Sequence, residues 1–329
     1  MSVAAAAPTF AAAALAAMAM ALLLGFRGRL PVAQRNARSL HTAPIPRVGG
    51  LAIWAGWIPV ACLVPAPPGM GIATWGVPWA LLFAVSLRDD MRGVAIAPRL
   101  AVHGIAACWF AWASAAFLPG GTPLSMALVA LVAAWSLNLY NFMDGSDGLA
   151  AAMSVAGFAA MGAVLLWHRM PADAPLALAA ATIPVLLVNR PPARIFLGDV
   201  GAVPLGFLAA ALGIGGVGAG AWGAWFPVLV FLPFIADASV TLGRRALRGE
   251  RFWEGHKTHY YQRLHQMGAG HAGTLAVYGA LMAGTAGTAV ACACLKPAWG
   301  GPALAAWCAV CALLFATIDY HWRTHTRTP

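Results

Sequence analysis

Two carboxylates and two amides lie close together between Asn138 and Gly148, in a sequence that is otherwise poor in charge. The segment reads NLYNFMDGSDG. Only 9% of the 329 residues are Asp, Glu, Lys or Arg, against about a quarter in an average soluble protein. Carboxylates at the edge of a bilayer are costly and usually mark a functional site. The segment therefore predicts a metal-dependent enzyme that works at a membrane surface.

The spacing within this segment indicates a shared surface. Asn138, Asn141, Asp144 and Asp147 follow one another at intervals of three. Because residues three apart lie on one face of a helix, we expect these side chains to point the same way. The glycine after each aspartate lets the backbone leave the helix and approach a ligand. An ordinary turn is the alternative, but two Asp-Gly steps beside an Asn-x-x-Asn pair favour a site.

Three further acids are candidates. Asp89 and Asp90 are adjacent in the segment SLRDDMRG, and on a helix they would point about 100° apart. One could then face a metal while the other orients it, although a plain helix-end loop is equally consistent with the pair. Asp199, in RIFLGDVG, could serve a metal, cap the following helix, or do both.

A basic, aromatic segment runs from residue 244 to residue 265. It holds six basic residues, three histidines and four aromatic residues. Such side chains suit phosphate oxygens and the face of a base or sugar, although an amphipathic helix on anionic headgroups would have a similar composition. His256 and His259, three residues apart, are the candidate catalytic pair, and Lys257 and Arg263 are candidate substrate-binding residues. Asn138 and Asn189 are further candidates for binding substrate.

The donor types predict the metal. Carboxylate and amide oxygens suit Mg²⁺, with Mn²⁺ as the second candidate, and the shell is usually completed by water and substrate phosphates. Several acids close together would repel one another without a cation.

Composition predicts the elements that position these residues. The chain is 61% apolar with a mean hydropathy of +0.76, and apolar runs of membrane-spanning length recur throughout it. We expect an all-α integral membrane protein with about 11 spans in a single domain, residues 1–329. The predicted spans are 3–26, 48–67, 71–87, 99–117, 122–139, 148–167, 174–189, 200–217, 222–243, 271–295 and 300–319.

The basic residues predict the orientation. With the N-terminus outside and the C-terminus cytoplasmic, the cytoplasmic loops are 27–47, 88–98, 140–147, 190–199 and 244–270. Eighteen of the 20 Lys and Arg residues then lie in these loops, at their edges or in the C-terminal tail, and the other two are Arg169 and Lys296. This is a strong positive-inside pattern. The net charge of +10 therefore indicates a cytoplasmic membrane face for anionic lipid and substrates, and no nucleic-acid partner is expected.

Taken in order, these segments resemble the polyprenyl-phosphate N-acetylhexosamine-1-phosphate transferases, the translocase-type glycosyltransferase family 4. The resemblance covers the whole chain. It is carried by PIPRVGGLA at 44–52, the Asp89-Asp90 pair, the segment from Asn138 to Gly148, FLGDVG at 196–201, PFIAD at 233–237 and the histidine-bearing segment. Members transfer a sugar 1-phosphate from a UDP-sugar to undecaprenyl phosphate in the bacterial plasma membrane and release UMP.

The resemblance implies a role for each position. Mg²⁺ would lie at Asp199, aided by Asn141 or the other acids. Asp89 and Asp90 would deprotonate or orient the lipid phosphate, and Asp144 and Asp147 would hold metal or nucleotide. Phe196 would lie near the uracil. The loop with His256 and His259 would bind the diphosphate and the sugar.

Two other functions are alternatives. The peptidoglycan branch, which uses a muramoyl-pentapeptide donor, carries a triple histidine run where this chain reads HKTHYYQ at 256–262. That departure favours the branch that initiates O-antigen, capsule or exopolysaccharide synthesis. A secondary transporter would suit the many spans and Asp237 within span nine, but transporter sites usually lie near the midplane between repeated halves. The donor sugar and the oligomeric state are left open.

Overall fold

The computed structural model describes residues 3–32, 45–65, 70–115, 121–251 and 256–325. Within these ranges the chain is almost entirely helical, and its β pairing is a single bridge between Val32 and Pro46. The α-helices are α1 (Val3–Gly25), α2 (Gly50–Leu63), α3 (Ile72–Arg92), α4 (Ile96–Ser114), α5 (Pro123–Met143), α6 (Leu149–Trp167), α7 (Asp173–Asn189), α8 (Asp199–Gly218), α9 (Trp225–Val230), α10 (Leu232–Leu247), α11 (Tyr260–Leu264), α12 (Gly270–Leu295) and α13 (Gly300–His325). The predicted all-α class is confirmed.

Seven of the described helical segments are long and apolar enough to cross a membrane, and α2 and α7 are shorter apolar helices. Helices suit the bilayer because they satisfy their own backbone hydrogen-bonding groups. The architecture is therefore that of a multi-pass membrane protein. The number of eleven spans and the orientation stay predictions.

The predicted spans coincide with helices, but two kinds of boundary were wrong. Predicted span nine, 222–243, is divided into α9 and α10 at Phe231, where Pro233 lacks the N–H that a continuous helix needs there. Several helices also continue past the predicted span: α3 reaches Arg92, α5 reaches Met143 and α10 reaches Leu247. Apolarity marks the part of a helix that lies in lipid, whereas the backbone hydrogen bonds continue into polar sequence.

Helix α8 forms the centre of the bundle. Nearly all of its residues are buried, and it packs against α2, α3 and α5. Small residues make this close packing possible. A Cβ on Gly206 would lie 2.6 Å from the Ser136 carbonyl oxygen, and a Cβ on Gly50 of α2 would collide with the Gly201 backbone.

Six helix ends meet at one end of this bundle. Side-chain contacts join the C-terminus of α3 to the N-termini of α4 and α8, and the C-terminus of α7 to the N-terminus of α6. Asp144, which follows the C-terminus of α5, interacts electrostatically with Asp90 and Asp199. Helix α11 packs beside them. This end holds the predicted loops 88–98, 140–147 and 190–199. Residues 33–44 and 252–255 of the predicted loops 27–47 and 244–270 lie outside the described residues.

Candidate active site

Three aspartates and two arginines form a cluster where α3 and α4 meet the start of α8. We call it the acid–arginine cluster, and its members are Arg47, Asp89, Asp90, Arg99 and Asp199. Each lies within ion-pair distance of at least one other member. The cluster joins four separate parts of the chain: the segment before α2, the last turn of α3, the first turn of α4 and the start of α8.

Asp90 caps helix α8 from a different helix. Its Oδ1 accepts a hydrogen bond from the backbone N–H of Asp199 at 3.2 Å, and its Oδ2 accepts one from Val200 at 2.8 Å. The Nε of Arg47 lies 2.9 Å from the same carboxylate. These backbone N–H groups have no partner within their own helix, so a carboxylate stabilises them. The cap that the sequence suggested for Asp199 is supplied by Asp90.

Asp199 faces two arginines. Its Oδ1 lies 3.4 Å from Nη2 of Arg47, and its Oδ2 lies 3.2 Å from Nη1 of Arg99. The same Nη1 of Arg99 lies 2.8 Å from Oδ2 of Asp89, whose Oδ1 accepts a hydrogen bond from the Val94 N–H at 2.6 Å. Asp89 and Asp90 therefore point in different directions, as adjacent residues of one helix do, and arginines connect both of them to Asp199.

Asp144 lies near the cluster, in the turn after α5. Burial raises the pKa of Asp144 well above its usual range, and the carboxylates of Asp199 and Asp90 raise it further, whereas Arg47 lowers it. Four carboxylates thus face two guanidinium groups. This excess of negative charge is the electrostatic condition that favours a bound cation.

The expectation that Asp144 and Asp147 share a helical face with the asparagines was wrong. Helix α5 ends at Met143, and the next helix begins only at Leu149. The intervening turn has its own geometry, with Gly148 at φ +76°. Asp147 consequently points toward the segment after α7, where its Oδ2 accepts a hydrogen bond from the Ala193 N–H at 2.9 Å.

Asn189 holds the same turn from the end of α7. Its Oδ1 accepts a hydrogen bond from the Gly148 N–H at 3.0 Å, and its Nδ2 donates one to the Ile195 carbonyl at 2.9 Å. His271, at the start of α12, adds a third attachment, because its Nδ1 accepts from the Asp147 N–H at 3.3 Å. The buried side chains of Asn189 and Asp147 therefore both contact backbone groups, which favours positioning over substrate binding.

The two asparagines of α5 have different surroundings. Asn138 donates from Nδ2 to the Ala134 carbonyl at 2.7 Å, and its Oδ1 lies 3.2 Å from Nδ1 of His103 on α4. Asn141 is half-buried, one helical turn nearer to Asp144. Asn138 is thus tied to α4 through His103, and Asn141 is nearer along the helix to Asp144.

The segment before α8 pairs with the segment before α2. The Phe196 N–H donates to the Pro46 carbonyl at 2.7 Å, and the Gly49 N–H donates to the Phe196 carbonyl at 2.8 Å. Gly198 adopts φ +76°, and a Cβ there would collide with the Arg47 carbonyl oxygen. Only glycine fits this position. The pairing brings Arg47 to Asp199 and leaves the ring of Phe196 half-buried at the same end of the bundle.

Asp237 fixes the histidine-bearing segment. We call residues 256–264 the His loop. The buried Asp237 carboxylate of α10 accepts hydrogen bonds from the N–H groups of Tyr260 and Tyr261, each at 2.9 Å, and from the Tyr278 hydroxyl at 2.5 Å. Its Oδ1 also lies 3.3 Å from Nδ1 of His259. Asp237 therefore anchors the start of α11.

His259 and His256 stack on each other beside the acidic turn. Their ring centroids are 4.8 Å apart, and the His259 ring also stacks on Phe142 at 6.1 Å. The Tyr261 hydroxyl donates to the Phe142 carbonyl at 3.0 Å. A Cβ on Gly145 would collide with that hydroxyl, so the glycine after Asp144 admits Tyr261. The His loop and the acid–arginine cluster therefore flank the same turn.

The two predicted cations of the His loop differ. Arg263 lies 2.7 Å from Oδ1 of Asp319 on α13 and 5.1 Å from the centre of the Tyr260 ring. The Lys257 carbonyl accepts a hydrogen bond from the Gln266 amide at 2.9 Å. The structure thus directs Arg263 to α13 and does not place it in the acid–arginine cluster.

The donors present suit a hard divalent cation. Among the described residues, no group of three or more His, Cys, Asp or Glu has the arrangement of a preformed metal site. Mg²⁺, however, usually takes only one or two protein carboxylates, with water and substrate phosphates supplying the rest. The side-chain oxygens of Asp199, Asp144 and Asn141 are donors of the type that Mg²⁺ prefers.

Sequence reasoning does not single out several residues that build this site. Arg47 and Asp237 lie in segments that carry the resemblance, but the sequence gives neither of them a role in the site. The positive-inside pattern accounts for Arg99, Tyr261 is one of four aromatic residues in its segment, and His271 carries no sequence signal. Their contacts join segments more than 20 residues apart, and no local spacing reveals them.

The fold and the site together define a polytopic helical membrane protein with an acidic, arginine-rich centre at one end of its bundle. Residues 72–217 match the family described as Glycosyl transferase family 4. This range contains the acids of α3 and α8 and the turn after α5.

Three relatives illustrate the similarity. The decaprenyl-phosphate N-acetylglucosaminephosphotransferase of Mycobacterium tuberculosis is 28% identical over 285 residues, which cover 73% of this chain and 70% of the relative. The probable undecaprenyl-phosphate N-acetylglucosaminyl 1-phosphate transferase of Bacillus subtilis is 27% identical over 261 residues, with 73% and 71% covered. The phospho-N-acetylmuramoyl-pentapeptide-transferase of Enterococcus hirae is 41% identical, but over 81 residues that cover 23% and 25%. These comparisons support the resemblance to the polyprenyl-phosphate N-acetylhexosamine-1-phosphate transferases.

Proposed function

We propose that this protein transfers an N-acetylhexosamine 1-phosphate from a UDP-sugar to undecaprenyl phosphate or a similar polyprenyl phosphate, releasing UMP. The reaction would take place at the cytoplasmic face of a bacterial plasma membrane. The observation that carries the proposal is the meeting of the acid–arginine cluster, the Asp144 turn and the His loop at one end of a membrane-embedded bundle. The relatives from Mycobacterium tuberculosis and Bacillus subtilis, which are named for N-acetylglucosamine phosphate transfer to a polyprenyl phosphate, support the reaction class.

The chemistry requires two anionic phosphates to approach each other. Arg47 and Arg99 form ion pairs with the Asp199 carboxylate in the structure. When substrate binds, they would pair with phosphate oxygens instead, because a guanidinium group binds both carboxylate and phosphate. Mg²⁺, or Mn²⁺ in its place, would neutralise charge on the diphosphate when bound to Asp199, Asn141 and Asp144.

The remaining residues would position the substrates. Asp89, the more accessible of the adjacent pair, would orient or deprotonate the lipid phosphate, while Asp90 holds α8 and Arg47 in place. His256, His259 and Lys257 would bind the diphosphate and sugar, and Phe196 would lie near the uracil. Asp147 and Asn189 would shape the turn that presents Asp144.

The donor branch is part of the proposal. The His loop reads HKTHYYQ at 256–262, without the triple histidine of the peptidoglycan branch. We therefore favour a protein that initiates O-antigen, capsule or another envelope polysaccharide. Transfer of a muramoyl-pentapeptide phosphate is the second candidate, because the Enterococcus hirae relative matches locally at 41% identity over 81 residues.

The test is UMP release by the purified protein in detergent, supplied with undecaprenyl phosphate, Mg²⁺ and a panel of UDP-N-acetylhexosamines that includes the muramoyl-pentapeptide donor. Release of UMP that depends on both lipid and one sugar donor is the expected result. Release only with the muramoyl donor would overturn the branch assignment. Folded protein that neither releases UMP nor binds UDP or undecaprenyl phosphate would overturn the reaction itself.

A further inference from the structure

Asp319, near the C-terminal end of α13, lies at the centre of a second ionic network. Its Oδ2 is 2.5 Å from Nη1 of Arg244 on α10, and its Oδ1 is 2.7 Å from Nη1 of Arg263 on α11. The Tyr260 hydroxyl donates to Oδ2 at 3.2 Å and accepts from Arg244. One carboxylate thus joins three helices.

The network extends into ring contacts. The Tyr260 ring stacks on Phe315 of α13, with centroids 4.0 Å apart and an angle of 10° between the planes. The guanidinium of Arg263 lies over the Tyr260 ring at 5.1 Å and over the Trp322 ring at 5.8 Å. Helix α13 therefore holds Tyr260 and Arg263 from both the charged and the aromatic side.

Helix α11 needs such external support. Its five residues continue into α12 through a turn of π-helix, residues 265–269, that is kinked at Gly268, so the helical ladder alone does not fix the direction of α11. Tyr260 directly follows His259, and its N–H is one of the groups anchored by Asp237. The position of His259 beside Phe142 thus depends on two carboxylates, Asp237 from one side of α11 and Asp319 from the other.

We propose that Asp319 is a positioning residue that sets the His loop for the nucleotide-sugar donor. It acts through Arg263 and Tyr260 and does not touch substrate. This inference rests on the proposed function, in which the His loop binds the donor diphosphate and the acid–arginine cluster receives the lipid phosphate. Loss of Asp319 should therefore weaken donor binding and leave acceptor binding unchanged.

The first test compares Asp319→Asn, Asp319→Glu and wild type in steady-state UMP release. We expect the donor KM of Asp319→Asn to rise about tenfold, the effect of losing a hydrogen bond to a charged group, with the lipid KM unchanged. Asp319→Glu, which keeps the charge, should recover part of the lost donor affinity.

The matched control is Glu250→Gln. It removes a carboxylate that pairs with Arg245 at 2.8 Å at the end of α10, and it should leave both KM values unchanged. An unchanged donor KM, or an equal rise in both KM values, would overturn the proposal.

The second test does not need turnover. Trypsin cleavage after Lys257 reports opening of the His loop, and cleavage after Arg169, between α6 and α7, reports general loosening. Asp319→Asn should speed cleavage after Lys257 several-fold relative to cleavage after Arg169. Equal rates in wild type and variant would overturn the positioning role. A wild-type protein that releases no UMP would count against the proposed function only, since this cleavage comparison would still test the role of Asp319.

Discussion

Asp199 and Asp237 are both buried aspartates, but their partners differ in kind. The oxygens of Asp199 face the side chains of Arg47 and Arg99 at 3.2–3.4 Å. The oxygens of Asp237 accept from two backbone N–H groups and a buried tyrosine hydroxyl at 2.5–2.9 Å. Arginine side chains can move to another anion, whereas backbone donors in a packed helix cannot.

This difference distinguishes a carboxylate that can bind metal or substrate from a carboxylate that has only a structural role. A cation can take the place of the arginines at Asp199 while the arginines pair with phosphate of the substrate, so that no charge is left without a partner. The donors around Asp237 would be left buried and unsatisfied, which costs about 1–3 kcal/mol each. The part of the site around Asp199 is thus suited to chemistry, and the part around Asp237 is suited to holding the His loop in place. We call them the acting half and the supporting half.

Metal removal should show the largest difference between the two halves of the site, because it should greatly reduce turnover without lowering stability. EDTA is expected to reduce UMP release by about 10³-fold or more, as expected when a charge-stabilising group is lost from the transition state. Added Mg²⁺ should restore turnover. The thermal unfolding temperature should stay nearly constant, because the Asp237 anchor contains no proposed metal ligand. Full turnover in EDTA would contradict the proposed use of Asp199 and Asn141.

Arg47→Gln should have the next largest effect. Its loss leaves Asp90 and Asp199 without a shared cation, and we expect turnover to fall about 10²-fold. Arg47→Lys should fall less, since it keeps the charge but cannot contact both carboxylates at once. The control is Arg194→Gln, an exposed arginine of the segment between α7 and α8, which should retain activity. Equal activity of Arg47→Gln and Arg194→Gln would refute the role of Arg47.

Gly198→Ala tests the junction that brings Arg47 to Asp199. Its φ of +76° and the collision that a Cβ would make with the Arg47 carbonyl oxygen predict a displaced backbone and about a tenfold loss of turnover. Gly220→Ala is a matched control, because Gly220 has φ +73° with nothing within 4 Å of the point that a Cβ would occupy. Its free energy of unfolding should fall by about 1–2 kcal/mol because of backbone strain, with little loss of turnover. Similar losses of turnover in both variants would mean that the junction is not important.

Asn189→Ala should have the smallest effect on turnover. It removes two buried hydrogen bonds, to Gly148 and Ile195, at about 2 kcal/mol in unfolding free energy, with a several-fold fall in kcat at most. Thr182→Ala, on the same helix, loses one hydrogen bond within its own helix and is the control. A large rise in donor KM for Asn189→Ala alone would instead support the direct substrate contact that the sequence suggested.

The sequence predicts the helices well because apolar runs report burial in lipid directly. It predicts their ends poorly, since polar residues such as Asp90 in α3 and Asn141 in α5 continue a helix beyond its apolar part. The expectation for Asp144 and Asp147 failed for the opposite reason: α5 ends at Met143, and the spacing of three has its helical meaning only up to that residue.

Sequence spacing selects the candidate acids but not their partners. It cannot reveal that Arg47 and Asp199, 152 positions apart, lie in contact. It also cannot show that Asp237 is fully engaged by Tyr260, Tyr261 and Tyr278. Whether a buried carboxylate acts or supports depends on these distant partners, and only the folded structure supplies them.

The most direct measurement compares Asp199→Asn with Asp237→Asn, recording both UMP turnover per folded protein and the unfolding temperature in detergent. For Asp199→Asn we predict turnover about 10³-fold lower and an unfolding temperature close to that of wild type. For Asp237→Asn we predict an unfolding temperature lower by about 5 °C or more with a much smaller loss of turnover in the protein that remains folded. The opposite pattern, a stable and inactive Asp237→Asn beside an unstable and active Asp199→Asn, would contradict the division of the site into an acting and a supporting half.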